Sequence, residues 1–152
     1  MNAVFKKMNF KDYEKLYVLN TPKEFKPNLE EMAEITTVKK SPNCKQQYEF
    51  ILVFVKTKED IIKYTPKITG KLIGDSVLWF AYPKKTSRNY KSDITRDDGW
   101  QPLGKLGFEP VRMIAIDDDW SALRFKNVEY IKTMKRGFAI SEKGKERIEK
   151  NK

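Results

Sequence analysis

A basic segment near the middle of the chain is the strongest candidate for binding a ligand. Residues 82–96 contain five Lys and Arg but one Asp, a net charge of +4. Lysine and arginine bind anions, and neighbouring threonine and serine hydroxyls donate hydrogen bonds suited to phosphate oxygens. The residues predicted to bind an anion are Lys84, Lys85, Thr86, Ser87, Arg88, Lys91 and Arg96. Because no strict spacing or glycine-rich cradle defines the segment, an exposed loop without a ligand is the alternative.

A second group of residues could line a small-molecule pocket. The Asp triplet at 117–119 supplies carboxylates, which hard cations prefer as ligands. Aspartate is also typical of tight turns, and the calcium-loop spacing of acidic residues is absent. The sequence therefore favours a turn and predicts no metal site. The residues predicted to line the pocket are Asn20, Thr21, Tyr82, Asp117, Asp118 and Trp120.

Missing residue types exclude several kinds of catalysis. The 152 residues include no histidine and one cysteine, Cys44, which excludes zinc–histidine sites and serine–histidine triads. The turn at 20–22, after the first predicted strand, has no glycine, and lysines follow the second strand, where an acidic residue normally holds ribose hydroxyls. Both departures argue against ordinary NAD or S-adenosylmethionine binding. We therefore predict no cofactor and no catalytic residue.

Strands that alternate with helices must position these candidates. Apolar and β-branched runs predict strands at 16–19, 34–39, 48–56, 76–82, 111–116 and 120–125. The continuous run at 48–56 is typical of a parallel strand buried on both faces. The order predicts an α/β fold: a single Rossmann-like (methyltransferase-like) domain with a mostly parallel sheet and a C-terminal antiparallel hairpin.

Helices are predicted between the strands. One is expected at 28–33, and another from a Thr57–Asp60 capping box to about 72, with Pro66 bending or splitting it. A short helix is expected through Leu103, capped by Asp97 or Asp98.

The carboxyl ends of parallel strands meet at one edge of a sheet, where ligands bind in open α/β folds. Four segments should converge there: residues 20–22, 56–57, 83–93 and 117–119. This convergence is what would join the basic segment to the second group of candidates.

The overall composition bounds the domain organisation and the partners. Thirty-one Lys and Arg against 21 Asp and Glu give a net charge of +10, which favours nucleic acid or a phosphorylated small molecule as a partner. We expect an α/β domain at 1–127 and a basic tail at 128–152 that is partly helical or disordered. No membrane-spanning run is present, and a cytoplasmic location is expected. The sequence does not predict the oligomeric state.

Three motifs carry a family resemblance. They read YPKKTS at 82–87, TRDDGW at 95–100 and IDDDWSALRF at 116–125. Together they resemble a bacterial family of the domain-of-unknown-function type over about residues 78–125. The resemblance implies a compact α/β domain and carries over no substrate or catalytic residue.

Three functional hypotheses follow. The leading one is a non-catalytic α/β domain that binds a phosphate-bearing ligand or nucleic acid at the basic segment. The first alternative is an enzyme of methyltransferase-like ancestry that acts on a small molecule. The second is a protein-interaction module whose basic tail contacts an acidic partner.

Overall fold

The computed structural model describes residues 1–41 and 47–131. The predicted tail from residue 132 onward and Cys44 lie outside these ranges. The helices are α1 (Ala3–Lys7), α2 (Lys26–Met32), α3 (Lys58–Thr69) and α4 (Gln101–Lys105). The strands are β1 (Lys15–Leu19), β2 (Thr37–Lys39), β3 (Tyr48–Phe54), β4 (Leu72–Pro83), β5 (Phe108–Ala115) and β6 (Trp120–Asn127). Short 3-10 turns occupy Lys23–Phe25 and Val128–Tyr130.

The six strands form one sheet in the order β2-β1-β3-β4-β6-β5. β1 to β4 are parallel, whereas β6 runs antiparallel to both of its neighbours, β4 and β5. The predicted mostly parallel sheet with an antiparallel C-terminal hairpin is confirmed.

Each face of the sheet buries its own apolar layer. Phe50, Leu52 and Trp79 point to the layer that α1 and α2 cover, whereas Ile51 and Phe80 belong to the opposite layer with α3 and α4. β3 reads as a continuous apolar run because both of its faces are buried in this way.

α3 begins and continues largely as its sequence predicts. The Thr57 hydroxyl accepts from the Asp60 N–H at 3.1 Å, and the Asp60 carboxylate accepts from the Thr57 N–H at 3.3 Å, which completes the predicted capping box. Pro66 does not split α3, which runs without interruption to Thr69. The helix ends at Thr69, with Gly70 as its C-cap, rather than at about residue 72, because residue 72 already belongs to β4.

α4 differs from its predicted start. It begins at Gln101 after Trp100, and neither Asp97 nor Asp98 caps it. Asp98 instead forms a salt bridge with Lys58 at 2.6 Å, and Asp97 pairs with Arg96. Lys58 lies 40 residues from Asp98 in the sequence, so the local pattern does not reveal this partner, whereas Arg96 directly precedes Asp97. No helix within the described ranges is long and apolar enough to cross a membrane.

Candidate functional site

The strand order has a topological switch point next to β1. The chain passes from β1 to β2 on one side and then returns to β3 on the other side. Open α/β sheets bind ligands beyond the carboxyl ends of the strands at such a point. We call this edge of the sheet, residues 20–25, 55–57, 83–98 and 116–120, the rim. All four segments predicted to converge lie here.

The turn after β1 depends on Asn20. Its φ of 59° is in the left-handed region that glycine usually occupies and that asparagine tolerates. The Asn20 side chain donates to the Phe54 carbonyl at 3.2 Å and accepts from the Tyr64 hydroxyl at 3.2 Å. Asparagine thus supplies the backbone turn and also joins the end of β1 to β3 and α3.

Glu24, in the 3-10 turn that follows, is the carboxylate at the centre of the rim. Its Oε1 accepts from the Tyr90 hydroxyl at 2.5 Å and from the Trp120 indole N–H at 3.0 Å. These donors come from positions 66 and 96 residues away in the sequence. The result is a carboxylate whose orientation is fixed by side chains from two distant parts of the chain.

The pKa values of this pair move in opposite directions. Burial alone would raise the pKa of Glu24, but the hydrogen bonds from Tyr90 and Trp120 and from its own backbone, with the Lys23 charge, lower it overall. The hydrogen bond to Glu24, followed by burial, raises the pKa of Tyr90 to about 12. At neutral pH Glu24 is therefore an anion and Tyr90 a hydrogen-bond donor.

The rings of the two residues that hold the Glu24 carboxylate pack against each other. The Trp120 ring lies 4.9 Å from Tyr90 and 5.0 Å from Phe54, measured between ring centroids. The Lys56 ammonium group lies 5.1 Å from the centre of the Tyr90 ring. A cation therefore lies against the ring of Tyr90, the residue whose hydroxyl donates to Glu24.

Asp119 attaches the segment after β4 to the hairpin. Its carboxylate accepts from the Ser87 hydroxyl at 2.8 Å and from the Asn89 amide at 3.1 Å. Its carbonyl accepts from the Lys84 N–H at 2.8 Å. Asp117 Oδ1 accepts from the N–H groups of Asp119 and Trp120, both at 2.8 Å, so the triplet forms the predicted tight turn.

Residues 84–98 run along the carboxyl edge of the sheet, from one face of the sheet to the other. Tyr90 packs with the apolar layer under α1 and α2, whereas Ile94 packs with the layer under α3 and α4. Between them, Asp93 accepts from the Lys58 N–H at 2.8 Å, at the start of α3. The segment therefore covers the carboxyl ends of β1 and β3.

The structure separates the predicted anion-binding residues into two groups. Ser87 supports the segment internally, because its oxygen also accepts from the N–H groups of Asn89 and Tyr90. The Lys84 side chain is half-buried, and Arg96 forms an exposed pair with Asp97. The remaining exposed residues are Lys85, Thr86, Arg88 and Lys91. Anion binding by these residues stays a prediction.

The predicted pocket residues are only partly brought together. Asn20, Thr21, Asp117 and Trp120 all lie at the rim, where Asp118 is exposed. Tyr82 does not join them: it is buried in the α3 and α4 layer, its ring is 5.6 Å from Trp100, and its hydroxyl contacts the Met113 sulfur at 3.6 Å. Strand alternation points Tyr82 away from the face that Trp120 occupies. No group of three metal-ligating side chains occurs within 1–41 and 47–131.

Lys56 lies in a segment that the sequence predicts at this edge, but its contact with the Tyr90 ring was not predicted. Sequence reasoning also missed the hydrogen bonds of Glu24, because this residue is one acid in the turn after the first predicted strand and nothing local marks its partners. The available signal was its position just after β1, combined with the convergence rule, which should have drawn attention to every charged residue in that turn.

Comparisons with known proteins place the fold. No protein-family model matches the sequence, and neither does any curated protein. Among solved structures, the ribosomal protein L11 methylase of Lactobacillus delbrueckii subsp. bulgaricus is similar with a TM-score of 0.50 and 12% identity, over 80% of this chain and 73% of that chain. The fold is Rossmann-like and methyltransferase-like.

Further solved structures are similar at lower scores. A protein of the NADB-Rossmann superfamily from Streptococcus agalactiae has a TM-score of 0.49 and 13% identity, over 82% of this chain and 67% of that chain. An RNA methyltransferase from Salinibacter ruber, in complex with S-adenosyl-L-homocysteine, has a TM-score of 0.46 and 12% identity, over 88% and 96%.

The comparison corrects two functional expectations. The leading hypothesis of a non-catalytic domain that binds phosphate or nucleic acid is wrong, and so is the leaning against an enzyme. The solved structures that share the fold include a methylase, which favours the alternative of an enzyme of methyltransferase-like ancestry.

Proposed function

We propose that this chain is an enzyme of methyltransferase-like ancestry that transfers a methyl group to a small molecule at the rim. The observation that carries the proposal is the Glu24 carboxylate, which Tyr90 and Trp120 hold beyond the carboxyl end of β1. A fixed anion at the topological switch point is suited to bind a cationic ligand.

The methyl donor that this fold implies is S-adenosylmethionine, and the polar groups of the turn suit it. Asn20 provides the left-handed backbone that a glycine would otherwise provide. The Thr21 hydroxyl, in the same turn, is buried without a hydrogen-bond partner, so a ligand hydroxyl there would relieve the cost of its burial. The lysines after β2 offer no carboxylate, and we assign the anion of this site to Glu24, in the turn that follows β1.

The roles of the side chains follow from their charges. Glu24 would hold the ammonium group of the methionine part, and Lys56 its carboxylate. S-Adenosylmethionine supplies an electrophilic methyl group on a positively charged sulfur. Because the pKa of Glu24 is lowered, this carboxylate binds and orients the ligand and is a weak base. Tyr90 and Trp120 fix its orientation.

The charge of the rim bears on the substrate. Lys85, Arg88 and Lys91 are exposed on the segment after β4, and we propose that they favour a small molecule with negative charge.

Calorimetry with S-adenosyl-L-homocysteine tests the proposal directly. We expect the unaltered protein to bind it, and Glu24→Gln to weaken binding about tenfold, because a charge-assisted contact is lost. Glu30→Gln is the matched control: it removes the same charge from an exposed position on α2 and should leave binding unchanged.

Two results would overturn the proposal. One is the absence of binding of both S-adenosylmethionine and its product to the folded protein. The other is equal weakening by Glu24→Gln and Glu30→Gln, which would show an effect of net charge alone.

A further inference from the structure

A groove between α3 and α4 lies outside the rim. Its cavity is about 510 Å³, within the range of roughly 300–1,000 Å³ that small-molecule sites occupy. Ile62 and Pro66 of α3 form one wall, and Pro102 and Leu106 of α4 form the other. The Ile62 side chain is 60% exposed and that of Leu106 is 49% exposed, so the apolar walls face solvent. Such a patch marks a binding surface more often than a lone exposed leucine does.

Thr65 lines the groove and carries an unsatisfied hydroxyl. The residue is fully buried, yet its Oγ1 makes no hydrogen bond. Thr69, one turn later, shows the usual arrangement: its hydroxyl donates to the Thr65 carbonyl at 2.9 Å. A buried hydroxyl without a partner is rare and calls for an explanation, and an incoming ligand group provides one.

The charges around the groove favour an anion. Lys58 is neutralised by Asp98, whose carboxylate lies 2.6 Å from the ammonium group and also accepts from Gln101. Lys105, on the α4 side, forms no ion pair with any described residue. Its charge remains available to a ligand that enters between the helices.

We propose that the α3–α4 groove is a binding site for a small carboxylic acid with an apolar body. The apolar part lies between Ile62 and Leu106, the Thr65 hydroxyl donates a hydrogen bond to the ligand, and Lys105 favours its negative charge. The site is separate from the rim and does not depend on methyl transfer.

Three probes with the same apolar body test the ligand class: octanoate, 1-octanol and octylammonium. We expect octanoate to bind most tightly and octylammonium most weakly. Shifts of backbone amide signals in the full chain should locate octanoate at α3 and α4. Equal affinity for the three probes, no octanoate binding, or shifts confined to the rim would each overturn the proposal.

Two substitutions test the named contacts. Thr65→Val keeps the shape but removes the hydroxyl, and we expect about fivefold weaker octanoate binding. Lys105→Gln should remove the preference for octanoate over 1-octanol, whereas Lys67→Gln, on α3 outside the groove lining, should retain it. Unchanged octanoate affinity in both Thr65→Val and Lys105→Gln would contradict the assignment even if octanoate binds elsewhere.

Discussion

Glu24 shows how a single side chain acquires a role through distant residues. In the sequence it is one acid in a turn between two lysines. In the fold its Oε1 receives two hydrogen bonds, from Tyr90 and from Trp120, and these orient the carboxylate. Neither partner has a periodic or spacing relationship to Glu24, so only the path of the chain brings them together. The aspartate turn at 117–119 is the opposite case: its hydrogen bonds are local, and the sequence predicted it.

The coupling between Glu24 and Tyr90 gives a measurable pKa. In Glu24→Gln the negative acceptor is lost, so the Tyr90 pKa should fall from about 12 towards its ordinary value near 10. The free energy of unfolding should fall by about 1 kcal/mol, as for one partly exposed hydrogen bond to a charged group.

Carbon-13 NMR of labelled tyrosine, with Tyr90→Phe to assign the signal, measures this titration. An unchanged Tyr90 pKa in Glu24→Gln would contradict the hydrogen bond that organises the rim.

At the scale of elements, local patterns predicted strands better than they predicted the segment after β4. β3 and the start of α3 follow from a continuous apolar run and a capping box. Residues 84–98 have no such pattern, because their conformation depends on anchors at Asp119, Glu24 and the start of α3. α4 likewise begins after Trp100, whose indole N–H donates to the Thr95 carbonyl at 2.9 Å, rather than at an aspartate cap. Tertiary contacts therefore decide where these elements begin.

Gly99 directly follows this segment and packs against α3. Its φ is +111°, and an added Cβ would lie 3.3 Å from Lys58 Cγ and 3.6 Å from Ile61 Cδ1. We expect Gly99→Ala to lower the free energy of unfolding by about 1–2 kcal/mol, because both the backbone and the neighbours resist the methyl group.

Gly70→Ala is the control in denaturant titrations. Gly70 has a φ of −69°, and nothing lies within 4 Å of the added Cβ. That substitution should raise the free energy of unfolding by about 0.4–1 kcal/mol, since it restricts the unfolded chain. Equal effects of the two alanines would show that the backbone at Gly99 is not strained.

At the scale of the whole molecule, the fold class and the strand directions were predictable, but the function was not. Alternation of strands and helices restricts the topology, and a right-handed connection places each following strand. Ser87 and Arg96, which the sequence assigns to anion binding, have partners within the chain that their local pattern does not identify as such. The missing glycine after β1 does not prevent a sharp turn, since Asn20 adopts the left-handed conformation itself. Composition constrains the fold and the charge, while the chemistry depends on which side chains the fold brings together.

Alkaline pH should destabilise the whole molecule through three tyrosines. Burial raises the pKa values of Tyr17 and Tyr82, and the bond to Glu24 raises that of Tyr90. The folded state thus keeps phenol protons that the unfolded chain loses near pH 10. This contribution to stability is complete below pH 10 and is lost as the pH rises through the raised values. While a group is protonated only in the folded state, the loss is up to about 1.4 kcal/mol per pH unit.

Urea titrations at pH 9, 10, 11 and 12 measure this slope. Tyr90→Phe should reduce this slope by up to about 1.4 kcal/mol per pH unit, the contribution of one titrating proton, because phenylalanine cannot titrate in either state. Tyr130→Phe, at a position that is 43% exposed, should leave it unchanged. A free energy of unfolding that stays level from pH 10 to 12, or a Tyr130→Phe slope that falls as much as that of Tyr90→Phe, would mean that the buried and rim phenols do not control alkaline stability.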